Sequence, residues 1–326
     1  MVEPPGATTA PGGSTMWCGI VLLDDRVSPS PATGRGSTEG MGRRAVTGSN
    51  TAMDGAATQS AADEVWPAAK AAAAARAGVR LRLDGELATV VLARPEQRNA
   101  MTPSTWWHLA EIGRALPGSV RAVLLRAEGA SFSAGLDRSV LVGGAGTAKT
   151  LIDLASADPI DAEMTIEAFQ EAYTWWRRPD LITVAAVQGH AVGAGFQLAL
   201  ACDMRLVAED ARFAMREITL GLVPDLGGTK QLVDLVGPAR GLEICATGRW
   251  IDSAEAYRIG LANKVVPNAD LAMDAEVFVR ELLAADRDAL IETKALIQGA
   301  IRRDYDSQRA AERAAQVRRI RALAGR

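Results

Sequence analysis

The sequence predicts an α/β fold in which parallel strands alternate with helices and a helical region follows. Short runs rich in Val, Leu and Ile alternate with helical segments between residues 79 and 208, which is typical of parallel sheets. After Gly227 the chain has mostly helical character to its end. The length of 326 residues allows one large domain or two ordinary ones. Apolar residues make up 48% of the chain, which is enough to fill a core.

The first predicted elements are a hairpin and a helix. Val79–Leu83 and Ala88–Ala93 flank Asp84-Gly85, a dipeptide typical of hairpin turns. We expect a helix over residues 103–116, because Thr102 is a suitable N-cap and a proline follows it.

Strands and helices then alternate through residue 208. The predicted strands are Val120–Arg126, Leu181–Val187 and Met204–Ala208, and the predicted helices are Pro159–Trp176 and Gly193–Cys202. The segment from Leu181 to Cys202 carries no formal charge, but glycines and polar residues interrupt it. It therefore predicts a buried strand, a turn and a buried helix rather than a membrane span.

Residues 1–77 differ from the rest of the chain. They are rich in Ala, Gly, Ser, Thr and Pro, and no apolar period persists in them. Such a composition buries too little surface to offset chain entropy. We expect a disordered tail, or a start placed too early in the gene, with Met41 or Met53 as the true start. Within the tail, Lys70–Ala77 has the propensity for a short helix.

Charge and cysteine content exclude several classes of protein. Lys and Arg number 36 against 39 Asp and Glu, a net charge of −3, whereas nucleic-acid-binding proteins usually have a strongly basic face. Three cysteines build no disulfide framework, and no C-x-x-C pair indicates zinc. Only His108 and His190 are available for a histidine-rich metal site. We expect a cytoplasmic protein without a metal, a nucleic-acid partner or a membrane anchor.

Three glycine-bearing turns lie at strand-to-helix junctions: residues 132–137 (FSAGLD), 189–195 (GHAVGAG) and 221–229 (GLVPDLGGT). Glycine lets a ligand approach the backbone, and a helix start offers free N–H groups. Two such turns facing one another could hold an oxyanion, although each turn alone is more typical of close packing. Leu198 prevents the second turn from completing the dinucleotide motif G-x-G-x-x-G. Asp137 is expected to cap the segment that follows it.

Several ordered motifs resemble the enoyl-CoA hydratase/isomerase, or crotonase, superfamily. They are ARPEQRNAM (93–101), FSAGLD (132–137), the stretch 187–229 and ATGRWIDSAEAYRIGLANKVVP (246–267). The resemblance implies a spiral of repeated ββα units with C-terminal helices that mediate trimerisation. Residues 78–267 would then form an acyl-CoA-binding core and residues 268–326 the helical region. It also implies a homotrimer or a dimer of trimers, an acyl-CoA substrate, and no cofactor beyond the coenzyme A of that substrate.

The resemblance also assigns backbone and loop positions. The N–H groups of Leu136 and Ala194 match those that bind the thioester carbonyl and stabilise an enolate. Ala194 departs from the usual glycine; it still supplies an N–H, but its methyl group narrows the space beside it. The positions that match CoA contacts are Gln97, Arg98, Ala100 and Ala134.

Hydratases of the superfamily resemble one another in using two glutamates 20 residues apart. The matching residues here are Gln197 and Glu217. Glutamine cannot take a proton, so a general base for water attack is missing. Glu217 is left as the proton carrier, with a pKa that burial would raise. Asp225 is a second candidate acid, because some isomerases are similar to this chain in carrying aspartate there; it is also a common turn residue after Pro224.

These catalytic candidates favour isomerisation of an enoyl-CoA, because moving a double bond through an enolate needs a proton shuttle but no activated water. Glu217, with or without Asp225, would supply that shuttle. The alternatives are hydration, with Gln197 holding a water and Glu217 delivering the proton, and a non-catalytic acyl-CoA binder. RNA binding, known in one member of the superfamily, is opposed by the net negative charge.

Overall fold

The computed structural model describes residues 66–142 and 151–325. The strands of these residues are β1 Val79–Asp84, β2 Leu87–Leu92, β3 Ala122–Ala127, β4 Ile182–Val187, β5 His190–Val192, β6 Met204–Ala208, β7 Arg212–Ala214, β8 Ile251–Asp252 and β9 Lys264–Val266. The helices are α1 Ala68–Arg76, α2 Pro103–Ala115, α3 Arg138–Val142, α4 Leu151–Ser156, α5 Pro159–Thr174, α6 Ala194–Ala201, α7 Gly228–Val236, α8 Pro238–Thr247, α9 Ser253–Arg258, α10 Leu271–Leu283, α11 Arg287–Ala300 and α12 Tyr305–Ala324.

Two sheets organise these elements. The larger has six strands in the order β1-β2-β3-β4-β6-β9; β1 and β2 form the antiparallel hairpin, and all other neighbours are parallel. The smaller has the order β5-β7-β8. Parallel strands with intervening helices confirm the predicted α/β class. Strands β8 and β9 interrupt the stretch after Gly227 that was expected to be mostly helical.

Helix α2 illustrates how the local sequence sets a boundary. The Thr102 hydroxyl accepts a hydrogen bond from the Thr105 N–H, and the Thr105 hydroxyl accepts one from the Thr102 N–H. This reciprocal capping satisfies N–H groups that the first turn of a helix leaves without partners. The predicted cap and start of this helix are confirmed.

Helix α1 lies inside the segment predicted to be a tail. Ala74 on this helix is fully buried, and Trp66 just before it is 5% exposed. Alanine has the highest helix propensity and a side chain small enough for close packing, so a low-complexity stretch can still form a packed helix. Residues 66–77 are thus ordered, unlike the predicted tail; its residues 1–65 lie outside the described part.

The centre of the molecule is the strand β4 and the helix α6. Every residue of both elements is buried, as the uncharged sequence between Leu181 and Cys202 predicts. In the two described ranges, no helix combines the length and the apolar character needed to cross a membrane.

The helical C-terminal region is fastened to this centre by a buried lysine. Lys294 on α11 donates to the Leu181 carbonyl oxygen at 2.6 Å and to the Asp203 carboxylate at 2.7 Å. The same carboxylate accepts hydrogen bonds from the backbone and hydroxyl of Thr183. Because a buried charge needs a partner, this network fixes α11 against the start of β4.

Candidate active site

The first two glycine turns lie side by side. Ser133 donates its N–H to the His190 carbonyl oxygen at 2.9 Å, and Val192 donates its N–H to the Ser133 carbonyl oxygen at 3.0 Å. A Cβ atom on Gly195 would lie 2.6 Å from the Ser133 Cβ, closer than atoms can pack. The absence of a side chain at Gly195 is what lets the two turns meet.

Each of these turns presents a backbone N–H group. A Cβ atom on Gly135 would lie 2.6 Å from the Val192 oxygen and 3.6 Å from the Ala194 nitrogen, so the residue before Leu136 touches the start of α6. Among hydrogen bonds between described residues, none is donated by the Leu136 or Ala194 N–H. Two adjacent donors without an acceptor can bind the oxygen of a ligand.

The Glu217 carboxylate lies against the second turn. A Cβ atom on Gly193 would come within 3.2 Å of Glu217 Oε1. Gln197 Nε2 donates to the same oxygen at 2.7 Å. Glu217 Oε2 is buried and accepts no hydrogen bond from any described residue. An acidic group with one such oxygen, close to Gly193 at the start of α6, is a candidate for proton transfer.

Burial changes the acidity of both candidate acids. It raises the pKa of Glu217, and the charge of Asp225 raises that pKa further, although the hydrogen bond from Gln197 opposes the shift. Burial also raises the pKa of Asp225. The fully buried Tyr173 hydroxyl has a pKa well above its usual range, because of burial first and also because of the two nearby carboxylates. The carboxyl groups of Glu217 and Asp225 therefore keep their protons to a higher pH in this site than they would in water.

The amide of Gln197 joins Glu217 to the third glycine turn. Gln197 is 1% exposed, and its Oε1 accepts the N–H of Leu226 at 2.9 Å and the N–H of Gly228 at 3.2 Å. These donors fix the orientation of the amide, so that its NH2 group faces Glu217. Asp225 precedes Leu226 directly and is carried on the same turn.

A cavity of about 560 Å³ contains the groups described above. Its polar and turn residues include Ala134, Gly135, Leu136, Gly193, Ala194, Gln197, Glu217 and Asp225. Its apolar wall includes Trp106, Val140, Leu154, Ala162, Ile166, Phe169, Leu220, Leu222 and Val223. The structure thus brings both predicted backbone donors and all three predicted catalytic side chains to one apolar cavity.

The predicted CoA-contacting residues lie beside this cavity rather than in it, apart from Ala134. Gln97 and Arg98 are exposed, and Ala100 is half-buried. The Ala134 N–H donates to the Arg98 carbonyl oxygen at 2.8 Å. Arg98 and Asn99 both have positive φ, at 50° and 53°, which is uncommon outside glycine. This bent loop forms a rim next to the first turn.

Three residues at the site were not predicted from the sequence. Gln170 Nε2 donates to the Asp225 carbonyl oxygen at 2.6 Å. Tyr173, one turn further along the same helix, donates to Met101 Sδ at 3.6 Å. The third is Arg94, which forms an ion pair with Asp137 at 3.2 Å. The helical spacing of 170 and 173 puts them on one face, but nothing in the sequence identifies which face meets the site.

Two smaller points concern the predicted site. The Asp137 carboxylate accepts the Ser139 N–H at 3.0 Å, so its predicted capping role is confirmed. No group of three or more His, Cys, Asp or Glu side chains suited to a metal ion occurs in residues 66–142 and 151–325.

Comparison with known proteins places this geometry in context. A family model described as enoyl-CoA hydratase/isomerase matches residues 83–323. A Thermobifida fusca YX protein assigned as an enoyl-CoA hydratase, solved in complex with CoA, has 43% identity and a TM-score of 0.75 over 78% of this chain and 98% of that one. The same protein has been solved with acetoacetyl-CoA. These matches confirm the predicted α/β spiral with its helical C-terminal region.

Two relatives of known name bear on the reaction. The short-chain-enoyl-CoA hydratase of Clostridium acetobutylicum is 30% identical over 240 residues, which are 72% of this chain and 86% of the relative. The mitochondrial Delta(3,5)-Delta(2,4)-dienoyl-CoA isomerase of Dictyostelium discoideum is 30% identical over 192 residues, which are 56% of this chain and 63% of the relative. The chain is thus similar both to hydratases and to an isomerase.

The contact between the first two turns predicts the effect of Gly135→Ala. The new methyl group would overlap the Val192 oxygen at a φ of +86°, so we expect a loss of stability of about 2 kcal/mol or more. Gly221→Ala is the matched control, because Gly221 also has a positive φ, at +70°, and open space around it. Urea denaturation of both variants measures the difference. Equal losses would contradict a tight contact between the turns.

Proposed function

Because the chain belongs to the enoyl-CoA hydratase/isomerase family, we propose that it moves the double bond of an enoyl-CoA thioester through an enolate. The family makes it an enzyme that acts on acyl-CoA thioesters. The choice of isomerisation over hydration rests on one observation, the hydrogen bonding of Gln197.

Hydration needs a base that activates a water, and Gln197 is unsuited to that task. Its amide takes up no proton, and both lone-pair directions of its oxygen are used by the Leu226 and Gly228 N–H groups. The NH2 group donates to Glu217, and a further N–H could only donate to a water. Donation withdraws electron density from the water oxygen instead of increasing its nucleophilicity. Gln197 therefore orients Glu217 and the turn that carries Asp225, and does not activate a water.

Isomerisation uses the groups that are present. In the proposed reaction, Glu217 takes a proton from C2 of a 3-enoyl-CoA, and the C–H electron pair forms an enolate whose oxygen binds the Leu136 and Ala194 N–H groups. The protonated acid then delivers its proton to C4 as the double bond shifts to C2–C3. Glu217 returns to its carboxylate form, and no atom is gained or lost. The raised pKa of Glu217 suits both halves of this transfer.

Asp225 is proposed as the assisting acid. It lines the same cavity as Glu217, and its charge raises the pKa of Glu217. If Glu217 does not reach the second carbon, a protonated Asp225 would deliver its proton to C4, and the proton taken up by Glu217 would then pass to Asp225, so that both groups return to their starting states. The hydrogen bond from Gln170 to the Asp225 backbone holds this turn in position.

The rest of the proposal concerns the coenzyme and the assembly. We place the CoA portion along the rim formed by Gln97, Arg98 and Ala100, with Ala134 in contact with the adenine end; the substrate itself brings the coenzyme, and no further cofactor is needed. The proposal also includes a homotrimer, or a dimer of trimers, built through residues 268–326, and a cytoplasmic location.

Hydration is the second candidate, since relatives such as the Clostridium acetobutylicum protein are named hydratases. In that reaction Glu217 alone would have to activate the water and deliver the proton. A third possibility, acyl-CoA binding without turnover, has the loss of a glutamate at position 197 in its favour. The two reactions and the binding-only alternative differ in their products, so they can be separated by experiment.

Replacing the two acids tests their roles. Glu217→Gln should lower turnover of a 3-enoyl-CoA about 10³-fold, because the base is lost, while CoA binding measured by calorimetry should persist. Glu281→Gln, an exposed replacement on α10, is the matched control. Near-normal turnover in Glu217→Gln would exclude Glu217 as the shuttle. In Asp225→Asn, a loss of about tenfold or more supports the assisting role, and no loss assigns Asp225 to the turn alone.

The pH dependence should also respond to Asp225. Glu217 must be deprotonated to act as a base, so kcat/KM should fall as the pH drops through its raised pKa. This fall should occur at a higher pH than for a glutamate with the usual pKa. Asp225→Asn removes the charge that contributes to this raised pKa, and the acid limb should therefore move to lower pH. A limb that stays fixed or moves to higher pH would contradict electrostatic coupling of the two acids.

A further inference from the structure

Arg94 connects the two chain segments that flank the Leu136 N–H. Its Nη1 donates to the Ala100 carbonyl oxygen at 3.0 Å, and its Nη2 lies 3.2 Å from the Asp137 carboxylate. Its own backbone N–H donates to Asn99 Oδ1 at 2.8 Å. The guanidinium therefore holds one residue just after Leu136 and one in the facing segment.

The facing segment sets the position of Leu136 through Met101. The Met101 N–H donates to the Gly135 carbonyl oxygen at 2.7 Å, and the Asp137 N–H donates to the Met101 carbonyl oxygen at 2.8 Å. These two bonds use the backbone groups on either side of the Leu136 N–H and leave that N–H to the cavity. Ala100, which Arg94 holds, is the residue directly before Met101.

The arginine is itself firmly seated. The side chains of Arg94 and Asp137 are 24% and 17% exposed, so water screens this pair less than an exposed one. A Cβ atom on Gly78 would lie 2.3 Å from Arg94 Cγ, which shows how closely the arginine stem packs on the turn after α1. Asp137 is fixed further by the N–H and hydroxyl of Ser139. The planar guanidinium presents separate N–H groups to its two partners in a fixed geometry, which the flexible ammonium group of a lysine does not.

We propose that Arg94 is a positioning residue for the Leu136 N–H, fixing through Ala100 and Asp137 the direction in which this donor meets the enolate oxygen. The inference rests on the proposed enolate chemistry. Hydrogen bonds to a developing oxyanion depend steeply on geometry, whereas the CoA portion, which we place along the rim that includes Ala100, makes contacts that tolerate a small displacement of this segment. Loss of Arg94 thus weakens enolate binding much more than CoA binding.

Acetoacetyl-CoA is a suitable probe, because its activated C2 proton makes it form an enolate with its own ultraviolet absorbance. In the full-length protein, Arg94→Met should raise the Kd of this probe about tenfold. The absorbance of the bound enolate should fall by a similar factor. Binding of free CoA should change less than about twofold. Arg94→Lys should recover part of the loss, and Asp137→Asn should reproduce most of it. The double variant should lose less than the sum of the single variants, since both act through one contact.

Arg82→Met provides the matched control, because Arg82 forms an exposed ion pair with Asp84 at 3.6 Å on β1, away from the cavity; it should leave both affinities unchanged. Enolate binding by Arg94→Met equal to that of the wild type overturns the inference. Equal losses of probe and CoA binding also overturn it, since they indicate a contact with CoA or a general loss of structure. A wild-type protein that binds the probe without enolate absorbance defeats the oxyanion site itself, and this inference with it.

Discussion

The buried amide of Gln197 connects the parts of the site through three hydrogen bonds. Its oxygen holds the turn that carries Asp225, and its nitrogen holds the carboxylate of Glu217. Because the amide is buried, each of its hydrogen-bonding groups left without a partner would destabilise the fold by about 1–3 kcal/mol. The folded structure therefore favours the arrangement in which all three bonds are made. The orientation of the Gln197 side chain thus sets the position of Glu217 relative to the turn that carries Asp225.

The backbone donors depend on a second constraint, the close approach of two turns. This approach requires positions without a side chain at Gly135 and Gly195. Since one turn ends at the start of α6, whose residues are all buried, the core of the molecule fixes one donor directly. The other donor lies on a loop, and Met101 and Arg94 hold it from the facing segment. One half of the proposed oxyanion site is thus rigid by burial and the other by hydrogen bonding.

The sequence predicts those features that depend on local patterns. The hairpin around Gly85, the cap at Thr102 and the buried strand, turn and helix between Leu181 and Cys202 follow from turn chemistry, capping and burial periodicity. The site residues follow from motif resemblance. The orientation of the Gln197 amide and the reach of Arg94 to Asp137 depend on contacts between distant segments, which no local pattern encodes. The packing of α1 is missed for the same reason, because composition alone does not reveal a surface that receives Ala74.

The central claim, that the protein transfers a proton without adding water, is tested most directly by mass spectrometry of products formed in heavy water. The purified enzyme would be supplied with one 2-enoyl-CoA and one 3-enoyl-CoA in separate reactions. The account predicts that the 3-enoyl ester becomes a 2-enoyl ester without gain of water and with little deuterium, because Glu217 is shielded in the cavity. Rapid addition of water to the 2-enoyl ester, with the 3-enoyl ester unchanged, would contradict it.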